Sequence, residues 1–173
     1  MFATALRTRS HEAESTGKMR SMTARVFSQQ PDLVASLPKL LTHARRFFAA
    51  ELEVLQASPP DREERERAEV LLRLSSARYP GAGTFLVDSR PATDDDRFAA
   101  EVAETRGRAT GMSLLAARCP VVWSLSAQGH VSGSAELQLS ALLASVALGP
   151  VLPEDGSTLY GVRGAMERAE QSA

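Results

Sequence analysis

The chain has 173 residues, with 20 Lys and Arg against 21 Asp and Glu, for a net charge of −1. That length fits one domain that can bury its own core, and the balanced charge removes any global electrostatic case for nucleic acid or an acidic membrane surface. The single cysteine, Cys119, cannot form an intrachain disulfide, and no apolar run reaches the ~18 residues of a membrane span, so membrane insertion is not expected.

Residues 1–30 are polar and rich in Ser, Thr and Arg. Arg7, Arg9, Lys18, Arg20 and Arg25 are opposed only by Glu12 and Glu14. We read them as a basic arm outside the core, with residues 31–173 forming the domain. Phe2, Leu6 and Phe27 are its candidate apolar anchors, and Arg7 and Arg9 its candidate polar contacts. Arg-rich, acid-poor starts also mark organellar transit peptides, but Glu12 and Glu14 interrupt that pattern. A cytoplasmic location is the expectation, with organellar import as the lesser alternative.

Pro38 suits a helical first turn, where its missing N–H has no intrahelical acceptor. Leu37, Leu41, Ala44, Phe48, Leu52 and Leu55 recur at three- and four-residue steps and predict a helix to about residue 56. Asp61 and Glu64 have capping-box spacing, and Glu63–Arg67 and Glu69–Arg73 sit four residues apart, as helix-stabilising pairs do. A second helix is therefore predicted up to Tyr79-Pro80-Gly81, antiparallel to the first.

The period then changes. Thr84-Phe85-Leu86-Val87 reads as a short strand. Thr93 and Asp96 repeat the capping-box spacing, and Asp94, Asp95 and Asp96 sit where a helix N-terminus favours negative charge. Val121-Val122-Trp123-Ser124-Leu125 is the best strand in the chain, with Gln128-Gly129 as a turn and His130-Val131-Ser132 as a short return strand. A helix from about Ala135 to Leu148 is apolar on nearly every side, so it must be buried on several sides. Gly149-Pro150 ends it, and a last helix runs near Leu159 to Gln171. The predicted class is α+β, helix-dominated, with about three strands, an extended N-terminal arm, and a right-handed βαβ unit over residues 84–125 if its strands are parallel.

The motifs that carry chemistry are weak. The acids at Asp88 and Asp94–Asp96 lack the order of a Ca²⁺ loop. His11, His43 and His130 show no metal-ligand spacing. Cys119 with His130 could form a nucleophile–base pair, but Cys119 enters an apolar strand and reads as a small buried hydrophobe. The glycine pairs Gly81/Gly83 and Gly107/Gly111 are misplaced for a phosphate loop, and Gly129/Gly133 lacks the lysine and full spacing. No metal, cofactor or catalytic residue is therefore expected.

Three function classes stay open. The first is a non-enzymatic interaction or assembly subunit, meeting a protein partner or a second copy through the arm and through Leu139 and Leu143 of the apolar helix. The second is a small enzyme or ligand-binding domain with a dispersed site, such as Asp88, Arg90, His130 and Arg163. The third is a nucleic-acid-associated protein using the basic arm. No helix has a one-sided basic face and no aromatic platform is present, which argues against the third.

Overall fold

The computed structural model describes residues 22–59, 67–77 and 82–172. Its centre is a six-stranded sheet in which every pairing is antiparallel. In chain order the elements are β1 (Met22–Ser28), α1 (Leu37–Phe47), β2 (Ala50–Ser58), β3 (Ala68–Ser76), β4 (Ala82–Pro91), α2 (Asp94–Gly107), α3 (Met112–Ala117), β5 (Val121–Ala127), α4 (Gly133–Ala147), β6 (Val151–Pro153) and α5 (Val162–Gln171). Across the sheet the order is β2-β3-β4-β5-β1-β6. The expectation of a helix-dominated domain with about three strands is thereby overturned: the described residues hold six strands in one sheet and five helices.

The difference lies in particular elements. The helix expected to run to residue 56 stops at Phe47; Ala49 takes a left-handed φ of 48°, and the chain turns into β2. In β2 the alternation of Glu51 and Glu53 with Leu52 and Val54 decides, exposing the acids and burying Leu52. The expected second helix is β3. Val70, Leu72 and Leu74 are fully buried on one face while Glu69, Leu71 and Arg73 take the other. Arg73 meets not Glu69 but Glu53, directly opposite on β2, at 3.1 Å. The proposed cap at Asp61–Glu64 lies outside the described residues. Finally, β4 and β5 are antiparallel neighbours, so residues 84–125 form no parallel βαβ unit. His130–Ser132 form no strand, and Ser132 instead caps α4.

Two faces of the sheet have different cover. The front face presents Val26, Leu52, Val70, Leu72, Phe85, Val87, Trp123 and Leu125 to the layer of α1 and α4, and α5 packs on α4. Helix α4 lies at the middle of this layer, with eleven of its fifteen residues buried, which is why its sequence is apolar all round. Leu139 and Leu143, offered as contact residues, are fully buried core residues. Each such leucine stabilises the fold by about 1.5–3 kcal/mol through burial.

The back face is covered only in part. Phe27, Val122 and Leu152 from β1, β5 and β6 meet Ala100, Ala103 and Ala116 of α2 and α3, together with Cys119 and Leu159. The expected arm therefore does not extend to residue 30. Residues 22–28 are an interior strand, paired with β5 on one side and β6 on the other, and Phe27 is fully buried. Phe2, Leu6, Arg7 and Arg9 lie outside the described residues.

Both sheet edges resist further pairing. At β2 a bulge places Leu55 as an extra residue between Val54 and Gln56, and Glu51 and Glu53 charge the strand. At the opposite edge β6 is three residues long, carries Pro153, and is bridged by Tyr160 through two backbone hydrogen bonds to Val151. No helix of the described residues is long and apolar enough to cross a membrane.

Candidate functional site

The densest polar constellation is built where α2 starts. Thr93 caps the helix and Asp96 completes a capping box by accepting from the Thr93 backbone N–H at 2.9 Å and from its hydroxyl at 2.8 Å. The capping box read from the sequence is thus present. Asp96 does more than cap: Arg90 of β4 reaches both its carboxylate oxygens, and Arg25 of β1 donates to Oδ1 at 2.9 Å. Asp96 is 1% exposed. Burial by itself pushes its pKa up, but the hydrogen bonds from Arg90, Thr93 and Arg25 outweigh that and hold it far below the usual carboxylate range. Among the described residues no group of acids, histidines and cysteines has metal-binding geometry. The Asp96 carboxylate is saturated by its arginines and its cap, and the whole cluster acts as a pin joining α2 to two strands.

Among the described residues one serine–histidine pair is in contact, and its hydrogen bonds run the wrong way for catalysis. His43 Nδ1 lies 3.0 Å from Ser145 Oγ, but the serine hydroxyl donates to the Leu142 carbonyl at 2.7 Å. Ser145 therefore accepts from His43, and no ring nitrogen takes the hydroxyl proton, which nucleophilic activation needs. Burial, and then Lys39, lower the His43 pKa. Cys119 is buried, gives its thiol to the Leu115 carbonyl and has its pKa pushed up to about 11 by burial. It is a core residue without thiolate character.

The dispersed set Asp88, Arg90, His130 and Arg163 is not assembled. Asp88 and Arg90 share the back face of β4, but Arg90 is committed to Asp96. His130 is exposed in the loop after β5, and Arg163 projects from α5 to Glu167 at 2.8 Å, 92% exposed.

What the sheet leaves open is larger. The back of β2, β3 and β4 carries Gln56, Ser58, Glu69, Leu71, Arg73, Thr84, Leu86 and Asp88, and no described helix covers it. Leu71 and Leu86 are directly paired across β3 and β4 and half-buried. They floor a depression of about 230 Å³ walled by Gln56, Ser58, Glu69 and Gln128. The Gln128 Nε2 is buried with no hydrogen-bond partner. A second cleft, of about 290 Å³, opens where β4 ends and β5 begins.

The chain matches no known family model, no curated protein and no solved structure.

Sequence reasoning missed the open face because it read β2 and β3 as helices. The signal was present in Glu69-Val70-Leu71-Leu72-Arg73-Leu74-Ser75. There the buried Val70, Leu72 and Leu74 fall on even positions, and Leu71 sits alone on the polar face.

Proposed function

We propose that this chain is a non-enzymatic interaction subunit that meets another polypeptide, or a second copy of itself, through the open back face of β2, β3 and β4. The supporting observation is the Leu71–Leu86 pair, half-buried at the centre of that face and ringed by Gln56, Ser58, Glu69 and Gln128. An apolar centre within a polar rim is the usual anatomy of a protein contact. The reading moves contact away from α4, whose Leu139 and Leu143 belong to the core. The chemistry of the candidate catalytic groups supports it too: His43 donates to Ser145, Cys119 is buried, and Asp96 is saturated. A cytoplasmic location goes with it, since a lone buried cysteine needs no oxidising compartment.

The test is the assembly state of the full chain by light scattering and by sedimentation, alone and in a lysate of its source, against the Leu71→Ser/Leu86→Ser variant. The expected result is a species heavier than the monomer that the variant loses while its circular dichroism is unchanged. A monomer under every condition, or an assembly that the variant retains, would reject the open face as the contact.

A further inference from the structure

We infer that the cleft at the end of β4 is a binding site for a small organic cation, an ammonium group on a compact apolar body. Its walls are Pro31, Leu33, Ala68, Pro91 and Val121, with Asp32, Ser89 and Arg90 as the polar members. At about 290 Å³ it stands at the lower limit of small-molecule sites, with room for about ten non-hydrogen atoms at the ~30 Å³ that a liquid water occupies.

Two observations point to a ligand. Ser89 is 6% exposed and lines the cleft, and its hydroxyl meets no hydrogen-bond partner among the described residues. Across the strand pair its neighbour is Trp123, fully buried, whose indole Nε1–H also lacks a partner. A buried indole N–H without a partner is costly and uncommon. The Ser89 hydroxyl opens on the cleft, where a bound group can satisfy it.

The sign of the charge follows from the other two polar residues. Arg90 lines the cleft, but its two Nη atoms are spent on Asp96 and on the Pro91 carbonyl, which leaves it little to offer an anion. Asp32 accepts one hydrogen bond, from the Ala35 backbone N–H at 2.9 Å, and has no cationic partner among the described residues. The free acceptor at the cleft is therefore the exposed Asp32 carboxylate, beside apolar walls and a hydroxyl that accepts or donates. An ammonium meets the carboxylate and the hydroxyl, and a short hydrocarbon or aryl body fills the rest. This site lies apart from the Leu71–Leu86 face and does not depend on polypeptide contact there.

Trp123 is the only tryptophan in the chain, so its indole N–H gives one side-chain signal in a ¹H–¹⁵N spectrum. The experiment titrates the labelled full chain with benzylammonium, benzyl alcohol and benzoate. Benzylammonium is expected to shift the Trp123 indole and the Leu33 and Ser89 amides saturably, with Kd near or below about 1 mM. Benzyl alcohol should bind about five-fold more weakly and benzoate not at all. Asp32→Asn keeps the acceptor for Ala35 and should reduce benzylammonium to the level of the alcohol. Ser89→Ala, which removes an unpartnered hydroxyl, should stay folded and weaken the ammonium as well. No saturable shift up to about 10 mM, equal or tighter binding of benzoate, or an Asp32→Asn variant that binds benzylammonium unchanged would each overturn the assignment.

Discussion

Arg90 and Asp96 form a two-pronged pair, with both guanidinium Nη atoms on the two carboxylate oxygens, and the Asp96 side chain is 1% exposed against 21% for Arg90. Arg25 and Thr93 complete the shell, so one carboxylate fastens β1, β4 and the first turn of α2. Planar bidentate pairing adds geometric specificity to charge, and this pair fixes where α2 crosses the sheet.

Replacing Asp96 by Asn should destabilise the fold by about 3 kcal/mol. Breaking one side of a buried pair costs about 3–5 kcal/mol, and the lower figure applies because Arg25 and Arg90 keep some contact with water. The pH dependence has a definite sign. A carboxylate whose folded pKa is depressed contributes its full stability above the unfolded value of about 3.9 and loses it as pH falls toward the folded one. Urea melts between pH 7 and pH 2 should show an acid loss in the wild type that is smaller in Asp96→Asn. Equal acid slopes would contradict the pin.

Ser140 and Gln138 are neighbours on α4 with opposite expectations. The Ser140 hydroxyl is buried without a partner, so Ser140→Ala should be neutral or stabilising by up to about 1 kcal/mol. Gln138 Nε2 donates to the Phe48 carbonyl at 3.2 Å and to Ser76 Oγ at 3.1 Å. Gln138→Leu strands that carbonyl and should cost about 1–3 kcal/mol. Thermal melts of the two variants should move in opposite directions.

Two glycines separate close approach from open space. A Cβ on Gly149 would lie 2.0 Å from the Phe27 carbonyl oxygen, which is backbone of the interior strand β1 and cannot give way. Gly149→Ala should cost about 3 kcal/mol or more, as overpacking does at its upper end. Gly133, the first residue of α4, has nothing within 4 Å of such a Cβ. Gly133→Ala should stabilise by about 0.4–1 kcal/mol by restricting the unfolded chain. Denaturant midpoints read both effects.

Leu139→Ala and Leu143→Ala should each cost about 2–5 kcal/mol through cavity formation, and removal of residues 1–28 should unfold the chain because it extracts β1 from between β5 and β6. A truncation or leucine variant that kept full stability and lost only assembly would restore α4 and the arm as contact elements.

Cys119 should resist thiol reagents in the native state and react only on unfolding. Burial raises its thiol to about 11, so almost none is thiolate at neutral pH. Rapid labelling under native conditions would show that the core around Phe27 and Gly149 opens.

Local chemistry was legible in the sequence. Thr93 and Asp96 announced their capping box because both partners lie within one turn. The apolar run of residues 135–148 announced a helix buried on several sides, and Val121–Leu125 a strand, because each has one unambiguous period. Cys119 before an apolar strand read as a core residue, and it is one.

Tertiary structure decided the rest. Residues 22–28 are polar enough to read as an arm, yet Arg25 is held by Asp96, 71 positions away, and Phe27 is sealed by α2 and α3. Leu41, Phe48, Leu52 and Leu55 fit a helical stripe, and Leu52 also fits a strand. Only pairing with β3 selects the second period, because a strand gains its backbone hydrogen bonds from a partner remote in sequence while a helix supplies its own. For the same reason neither the cleft beside Ser89 nor the open face at Leu71 and Leu86 could be read from the chain. Both are made by side chains that become neighbours only when the six strands are put in order.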